Sequence, residues 1–198
     1  MKRTRIVPHR RRREAKTDYR ARLKLLKSSR PRFIVRKSSN SITCQVASYG
    51  TAGDRIIVSV NSMHVKKSGW KGHTGNLPAA YLTGYLCGLN AKKSGISEAV
   101  LDTGLYKSTK GSRLYAALKG VLDAGINIPH SVDVLPADDR ISGKHIAVYA
   151  EKLKKENPEK YGKIFSDYIK NKLPPESLPA HFSSVKQKLF HVKGLLAK

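Results

Sequence analysis

The stretch that decides the fold is residues 32–60, RFIVRKSSNSITCQVASYGTAGDRIIVSV. It holds three apolar runs rich in β-branched and aromatic residues, Arg32–Lys37, Ile42–Tyr49 and Arg55–Val60, and this composition predicts three strands. Ser/Asn-rich and Gly-Asp segments separate the runs. Connections this short favour an antiparallel meander.

Alternating helical and extended patterns follow the meander. Asn76 can cap a helix with Pro78 in its first turn, which predicts a helix at about 77–93. A short strand, Ala99–Thr103, and a helix at about 112–124 come next. A strand that follows a crossover helix should lie parallel to a strand of the meander. The predicted fold class is α/β (α+β), a mixed sheet of about four strands in the order β-β-β-α-β-α with packed helices.

Positive charge is concentrated at the N-terminus. The formal net charge is +25, and 11 of the 14 arginines lie in residues 1–37, where only Glu14 and Asp18 are acidic. The planar guanidinium suits phosphate and stacks on bases, so a nucleic acid is the expected partner. An anionic membrane surface is the rival, although no apolar run is long enough to span a bilayer and no signal peptide is evident.

The N-terminal segment divides into two predicted parts. Residues 1–12 have little to bury and contain Pro8, which favours an extended arm. From about Arg13, apolar residues at three- and four-residue spacing predict an amphipathic helix that docks through one stripe and shows cations outward. The stripe consists of Ala15, Tyr19, Leu23 and Leu26. Tyr19 either belongs to this stripe or stacks on a base.

Two further segments complete the predicted organisation. Residues 64–76, HVKKSGWKGHTGN, form a glycine-rich cationic loop in which Trp70 either anchors the loop in the core or stacks on RNA. Asp138–Gly143 is predicted to be a turn, and helical patterns follow at about 143–155, 158–171 and 179–193. The predicted divisions are a basic arm and helix at 1–30, a mixed α/β RNA-binding domain at 31–129 and a helical C-terminal extension at 130–198.

Enzymatic chemistry finds little support in the sequence. A nuclease would need several carboxylates that converge on two metals. Asp102 lies at a strand end, and its candidate partners are Asp123, Asp133, Asp138 and Asp139. The histidines show no ligand spacing, so we expect no metal and no cofactor. Cys44 and Cys87 lie in apolar patterns and are expected to be buried free thiols. A DNA-binding protein is also conceivable, but no helix-turn-helix, zinc finger or zipper is evident.

Several blocks of sequence, taken in order, resemble a known family. They are YRARLKLLKSSRPRFIVRKSSNSITCQV at 19–46, GWKGHTGNLPAAYLTGYL at 69–86, AVLDTGL at 99–105, TKGSRLYAALKGVLDAG at 109–125, IPHS at 128–131 and LPADDRISGKHIA at 135–147. Together they resemble the archaeal form of the large-subunit ribosomal protein family numbered eighteen, whose eukaryotic counterpart is numbered five. The resemblance covers about residues 1–150, and the tail resembles the family only loosely.

The resemblance implies a specific role and a set of RNA contacts. Proteins of this family bind 5S rRNA, contact 23S rRNA and neighbouring large-subunit proteins, and help to attach the 5S particle in the central protuberance. We therefore expect a cytoplasmic protein of the large ribosomal subunit that is not an enzyme and binds no small-molecule substrate and no membrane. The residues expected to contact rRNA are Arg3, Arg5, Arg10, Arg11, Arg12, Arg13, Lys16, Tyr19, Arg20, Arg22, Arg32, Arg36, Lys37, Lys66, Lys67, Trp70, Lys71, Lys110 and Arg113.

Overall fold

A computed structural model describes residues 7–191, with His191 described for its backbone alone. The strands are β1 (Arg32–Lys37), β2 (Ile42–Gly50), β3 (Gly53–Asn61) and β4 (Val100–Asp102). The helices are α1 (Arg10–Arg13), α2 (Tyr19–Leu26), α3 (Ser62–Lys67), α4 (Leu77–Lys93), α5 (Arg113–Asp123), α6 (Asp138–Ser142), α7 (Lys144–Glu156), α8 (Pro158–Ile164), α9 (Ser166–Lys170) and α10 (Leu178–His191). Short 3-10 turns occupy Val132–Val134 and Pro175–Ser177.

The strands form one mixed sheet in the order β3-β2-β1-β4. β1 and β2 pair antiparallel, as do β2 and β3, whereas β4 pairs parallel to β1. The predicted meander, the parallel fourth strand and the fold class are therefore confirmed. A register shift between Val46 and Ala47 lets Asp54 pair with Tyr49, near the start of β3.

One face of the sheet is covered by helices and forms the core. Phe33 and Val35 point to this face and are fully buried, so the alternation of β1 places Arg32, Ile34 and Arg36 on the opposite face. Cys44 and Cys87 are free and buried, as expected.

α4 and α5 approach each other closely through glycines. A Cβ atom on Gly84 would lie 2.0 Å from the carbonyl oxygen of Ala117, and one on Gly120 would lie 2.2 Å from that of Tyr81. α4 begins where the Asn76 side chain accepts a hydrogen bond from the Ala79 amide, as predicted. The helix pair therefore supports the sheet from one side and leaves the opposite face for other contacts.

The N-terminal segment differs from its prediction. Arg10–Arg13 form one helical turn, and the main helix begins at Tyr19 because Asp18 caps it by accepting hydrogen bonds from the Arg20 and Ala21 amides. Ala15 has a φ of 49°, which ends any continuous helix from Arg13. No residue of α2 is buried, so its predicted apolar stripe does not dock on the core.

Two other predicted boundaries were wrong. α3 occupies the first part of the predicted 64–76 loop, because Asn61 and His64 form a reciprocal cap at its start. Residues Asp138–Ser142 form α6, and the predicted turn is reduced to Gly143 in the left-handed region.

The C-terminal helices pack on the same hydrophobic cluster as the sheet and α4. Phe182 of α10 lies 5.5 Å from Tyr81 of α4, measured between ring centroids. Leu178, Val185 and Leu189 of α10 are almost fully buried within this cluster. The helices after residue 130 therefore belong to the core that holds the sheet.

Candidate nucleic-acid interface

The cations of α1 are exposed, and only some of them are paired. Arg10 and Lys16 both bind Glu14, at 2.8 and 2.9 Å, and Arg11 donates a hydrogen bond from Nε to Thr17. Arg12 and Arg13 have no ion-pair or hydrogen-bond partner for their side chains among residues 7–191. The excess of cations over carboxylates on this turn leaves charge that a polyanion can neutralise. The predicted contacts Arg3 and Arg5 lie outside the described residues.

α2 is attached to the sheet by one ion pair. Arg22 Nη2 lies 2.7 Å from Asp54 Oδ2 at the start of β3. Arg20 and Lys24 point to solvent, and the ring of Tyr19 lies 5.3 Å from that of His9. α2 has no fully buried residue, and this ion pair holds it beside the start of β3.

Arg32 occupies a place that its sequence position did not suggest. Its side chain is only 2% exposed, with Nη2 2.6 Å from Asp54 Oδ1 and Nη1 3.1 Å from Asp102 Oδ2. The contact to Asp54 is an ion pair without hydrogen-bond alignment, and Nε has no hydrogen-bond partner among the described residues. A guanidinium so buried supports the sheet, and a contact between Arg32 and rRNA stays a prediction.

Asp54 is the carboxylate that joins α2 to this buried charge. Burial tends to raise the pKa of Asp54, but the guanidiniums of Arg32 and Arg22 outweigh burial and hold the pKa below its ordinary value of 3.8. Asp54 is therefore ionised wherever the protein works near neutral pH. Asp54 and Asp102 both form ion pairs with Arg32, so two carboxylates neutralise the charge that is buried in β1.

Arg36 and Lys37 are fixed at the end of β1. Arg36 donates from Nη1 to the backbone carbonyls of Val35 and Asp102, and from Nη2 to Asp102 Oδ1. Lys37 Nζ lies 5.2 Å from the ring centre of Tyr106, whose hydroxyl donates to the Lys37 carbonyl. Both cations are half-buried, so they can present charge but not move freely towards a ligand.

These elements enclose a groove of about 880 Å³ between the arm segment and the sheet face that lacks helices. Six cations line it against three carboxylates, Asp18, Asp54 and Asp102. The lining cations are Arg11, Lys16, Arg22, Lys24, Arg32 and Arg36. The groove therefore brings four parts of the sequence together: the arm, α2, the sheet and the loop after β4.

The glycine-rich loop is fixed in place by the C-terminal helices. Trp70 is 1% exposed and stacks on His181 of α10 with ring centroids 5.3 Å apart. The Lys71 amide donates to His181 Nε2, and Asn171 Nδ2 donates to the Lys71 carbonyl. Of its two expected roles, the structure shows Trp70 as a core anchor, and a contact with RNA stays a prediction.

Five of the expected rRNA contacts remain, four lysines and Arg113. Lys66, Lys67, Lys71 and Lys110 are exposed. Arg113 Nη1 instead donates to the backbone carbonyls of Ser38 and Gly75, and so links the β1–β2 turn to the loop. None of these five residues lines the groove.

Sequence reasoning missed the two residues that shape the groove most. Tyr106 forms part of its wall, and Asp54 neutralises its floor. A Gly-Asp turn marked Asp54 in the sequence, but only the register of β3 brings it beside Arg32. Tyr106 lies 69 residues from its hydrogen-bond partner Lys37, and no local pattern predicts such a contact.

The arrangement offers charged and hydrogen-bonding groups that suit binding. Among residues 7–191 no group of three or more His, Cys, Asp and Glu side chains could hold a metal ion. Asp102, the nuclease candidate, is engaged by Arg32, Arg36 and the Gly104 amide. None of the described helices is long and apolar enough to cross a membrane.

A comparison with protein families finds a matching family model. The family model described as ribosomal large subunit proteins 60S L5 and 50S L18 matches residues 2–96 and 89–131. The matched residues contain the arm, α2, all four strands, α4 and α5, and hence every part of the groove.

Proposed function

The chain belongs to the family of ribosomal large-subunit proteins 60S L5 and 50S L18, and from that premise we propose that it binds 5S rRNA. It also contacts 23S rRNA and neighbouring large-subunit proteins, and it helps to attach the 5S particle in the central protuberance. The observation that supports this best is the unpaired arginine charge of α1 beside a cation-lined groove within the family-matched region.

The electrostatics suit an RNA partner. Arg12, Arg13, Arg20 and Lys24 have side chains without ion-pair partners among the described residues, and phosphates can fill that role. Each phosphate they neutralise releases condensed counterions, which makes binding steeply dependent on salt. The cations at Lys66, Lys67, Lys71 and Lys110 lie outside the groove and would reach a second RNA surface, which we assign to 23S rRNA.

The proposed role is structural and not enzymatic. Asp102 is held by two guanidiniums, which leaves it poorly suited to bind the two metals of a nuclease. Incubation of 5S rRNA with the protein and Mg²⁺ should leave the RNA intact. Cleavage that Asp102→Ala abolishes would overturn this part of the proposal.

A competition experiment tests the RNA assignment. Labelled 5S rRNA bound by the full chain would be challenged with unlabelled 5S rRNA or with an unrelated folded RNA of the same length, at about 0.15 M salt. Specific complexes bind about 10³-fold or more tighter than non-specific ones, so even a hundredfold preference for 5S rRNA would support recognition beyond charge. Equal competition by the two RNAs would reduce the protein to a general polyanion binder and contradict the proposal.

A further inference from the structure

The groove has a floor whose cations are mostly paired and a rim with unpaired cations. On the floor, Asp54 and Asp102 pair with the guanidiniums of Arg22, Arg32 and Arg36 at distances of 2.6 to 3.1 Å. At the rim, Arg11 and Lys24 line the groove, and neither has a carboxylate partner among the described residues. The floor keeps an excess of one positive charge, and the cations without an ion-pair partner lie at the rim, so a phosphate is favoured there.

The floor and wall combine apolar surface with a fixed aromatic ring. Ile34, Leu101 and Leu105 supply apolar surface, and Leu105 is 56% exposed. The ring of Tyr106 is held in the wall by its hydroxyl bond to the Lys37 carbonyl. A fixed aromatic ring beside apolar surface and cations can hold an unstacked base.

We propose that this groove receives one unpaired nucleotide of the bound RNA, with its base against Tyr106 and Leu105 and its phosphate at Arg11 and Lys24. The inference rests on the proposed function and specifies which RNA feature the groove recognises. The volume of about 880 Å³ lies within the range of about 300–1,000 Å³ that is usual for small-molecule sites. An A-form duplex presents a wide, shallow minor groove and stacked bases, so it cannot place a base inside.

The test uses an exposed residue, so that the variant keeps its fold. Leu105→Glu places a carboxylate at the mouth of the groove, where it repels phosphate and disrupts the apolar wall. Val132→Glu, at a position 78% exposed and outside the groove, makes the same charge change elsewhere. Both full-length variants and the wild type would be titrated with a short unstructured single-stranded RNA and with a blunt RNA duplex carrying the same number of phosphates.

The expected result is selective. Leu105→Glu should weaken binding of the single strand about tenfold more than Val132→Glu does, which is within the contribution of one stacked base. On the duplex the two variants should be equal. The groove assignment would be overturned if Leu105→Glu weakened binding of the single strand and of the duplex by the same factor. It would also be overturned if Leu105→Glu and Val132→Glu weakened single-strand binding equally.

A second pair of variants isolates the aromatic ring. Tyr106→Leu removes the stacking surface, whereas Tyr49→Leu makes the same change at a tyrosine of β2 that is 60% exposed and does not line the groove. Only Tyr106→Leu should weaken single-strand binding. No difference between them would overturn the proposal.

Titrations with 5S rRNA distinguish a failure of the proposed 5S rRNA binding from a failure of the proposed nucleotide binding in the groove. If wild-type protein prefers 5S rRNA but the variant pairs behave alike, the groove inference fails and the proposed function stands. If the groove variants act selectively on single strands but 5S rRNA is not preferred, the proposed function fails and the groove stands.

Discussion

The carboxylate of Asp54 lies 2.6 Å from the guanidinium of Arg32, so the first residues of β3 neutralise a charge that is buried in β1. The same carboxylate holds Arg22 of α2 at 2.7 Å. One acidic side chain thus stabilises the sheet and fixes the cationic helix beside it.

Asp54→Asn should lower the free energy of unfolding by about 2 kcal/mol at pH 7, measured by urea denaturation. Removing one partner of a buried ion pair costs about 3–5 kcal/mol, and Asp102 continues to compensate Arg32 here. Arg22→Gln breaks only the exposed pair and should cost less than about 1 kcal/mol. Equal losses in the two variants would show that the charge of Arg32 is not what Asp54 stabilises.

The same ion pair should give stability a defined pH dependence. The pKa of Asp54 in the folded protein lies below 3.8, its ordinary value, so the unfolded chain binds the proton more readily. Its contribution is complete above pH 3.8 and is lost as pH falls through the folded-state pKa. The stability gap between wild type and Asp54→Asn should therefore be constant from pH 7 to 5 and shrink below about pH 3.8. A gap that widens in acid would contradict the sign of this shift.

Gly84→Ala should destabilise the α4–α5 pair. Its new Cβ would lie 2.0 Å from the Ala117 carbonyl oxygen, so the helices must separate, and overpacking of this kind costs about 1–3 kcal/mol. Gly162→Ala in α8 is the matched control, because nothing lies within 4 Å of its Cβ. That variant should gain about 0.5–1 kcal/mol from helix propensity. Thermal unfolding should show opposite shifts of Tm, and a parallel loss would refute the close approach.

His181→Ala should loosen the glycine-rich loop. The imidazole accepts the Lys71 amide at 3.1 Å and stacks on Trp70, so both contacts are lost together. A hydrogen bond contributes about 0.5–1.5 kcal/mol, so exchange of the Lys71 amide should accelerate about threefold to tenfold. Ser183→Ala, at an exposed position of the same helix, should leave this rate unchanged. Unchanged exchange in His181→Ala would mean that the C-terminal helices do not fix the loop.

The sheet could be predicted because its strands and turns are defined by residues that are neighbours in the sequence. Alternation in Arg32–Lys37 and the short turns define the meander, and the Asn76 cap with Pro78 defines the start of α4. The α2 start was misplaced because periodicity continued through Ala15, whereas the Asp18 cap and a positive φ set the true boundary. A thin apolar stripe does not by itself show that a helix docks.

The candidate site could be predicted only in part, because the pairing of its cations depends on residues far apart in the sequence. A run of arginines marks a polyanion-binding segment, but it does not reveal which cations the protein itself neutralises. Arg32 and Arg113 are engaged by atoms 22 to 75 residues away in sequence, and Trp70 is buried by a helix more than 100 residues away. Such long-range contacts separate structural cations from those available to RNA.

The most direct test of RNA binding through the N-terminal arginines is the salt dependence of 5S rRNA binding. A variant with Arg10, Arg11, Arg12 and Arg13 changed to Gln would be compared with one in which Lys155, Lys160, Lys163 and Lys170 are changed to Gln. Both lose four charges, so a general charge effect treats them alike. Filter binding between roughly 50 and 200 mM salt gives the slope of log affinity against log salt.

The arginine variant should lose about 3 to 4 units of this slope, since each of the four lost phosphate contacts removes about 0.7–0.9. The lysine variant should retain nearly the wild-type slope. Equal losses in the two variants, or an unchanged slope in the arginine variant, would contradict the claim that the N-terminal arginines bind the RNA backbone.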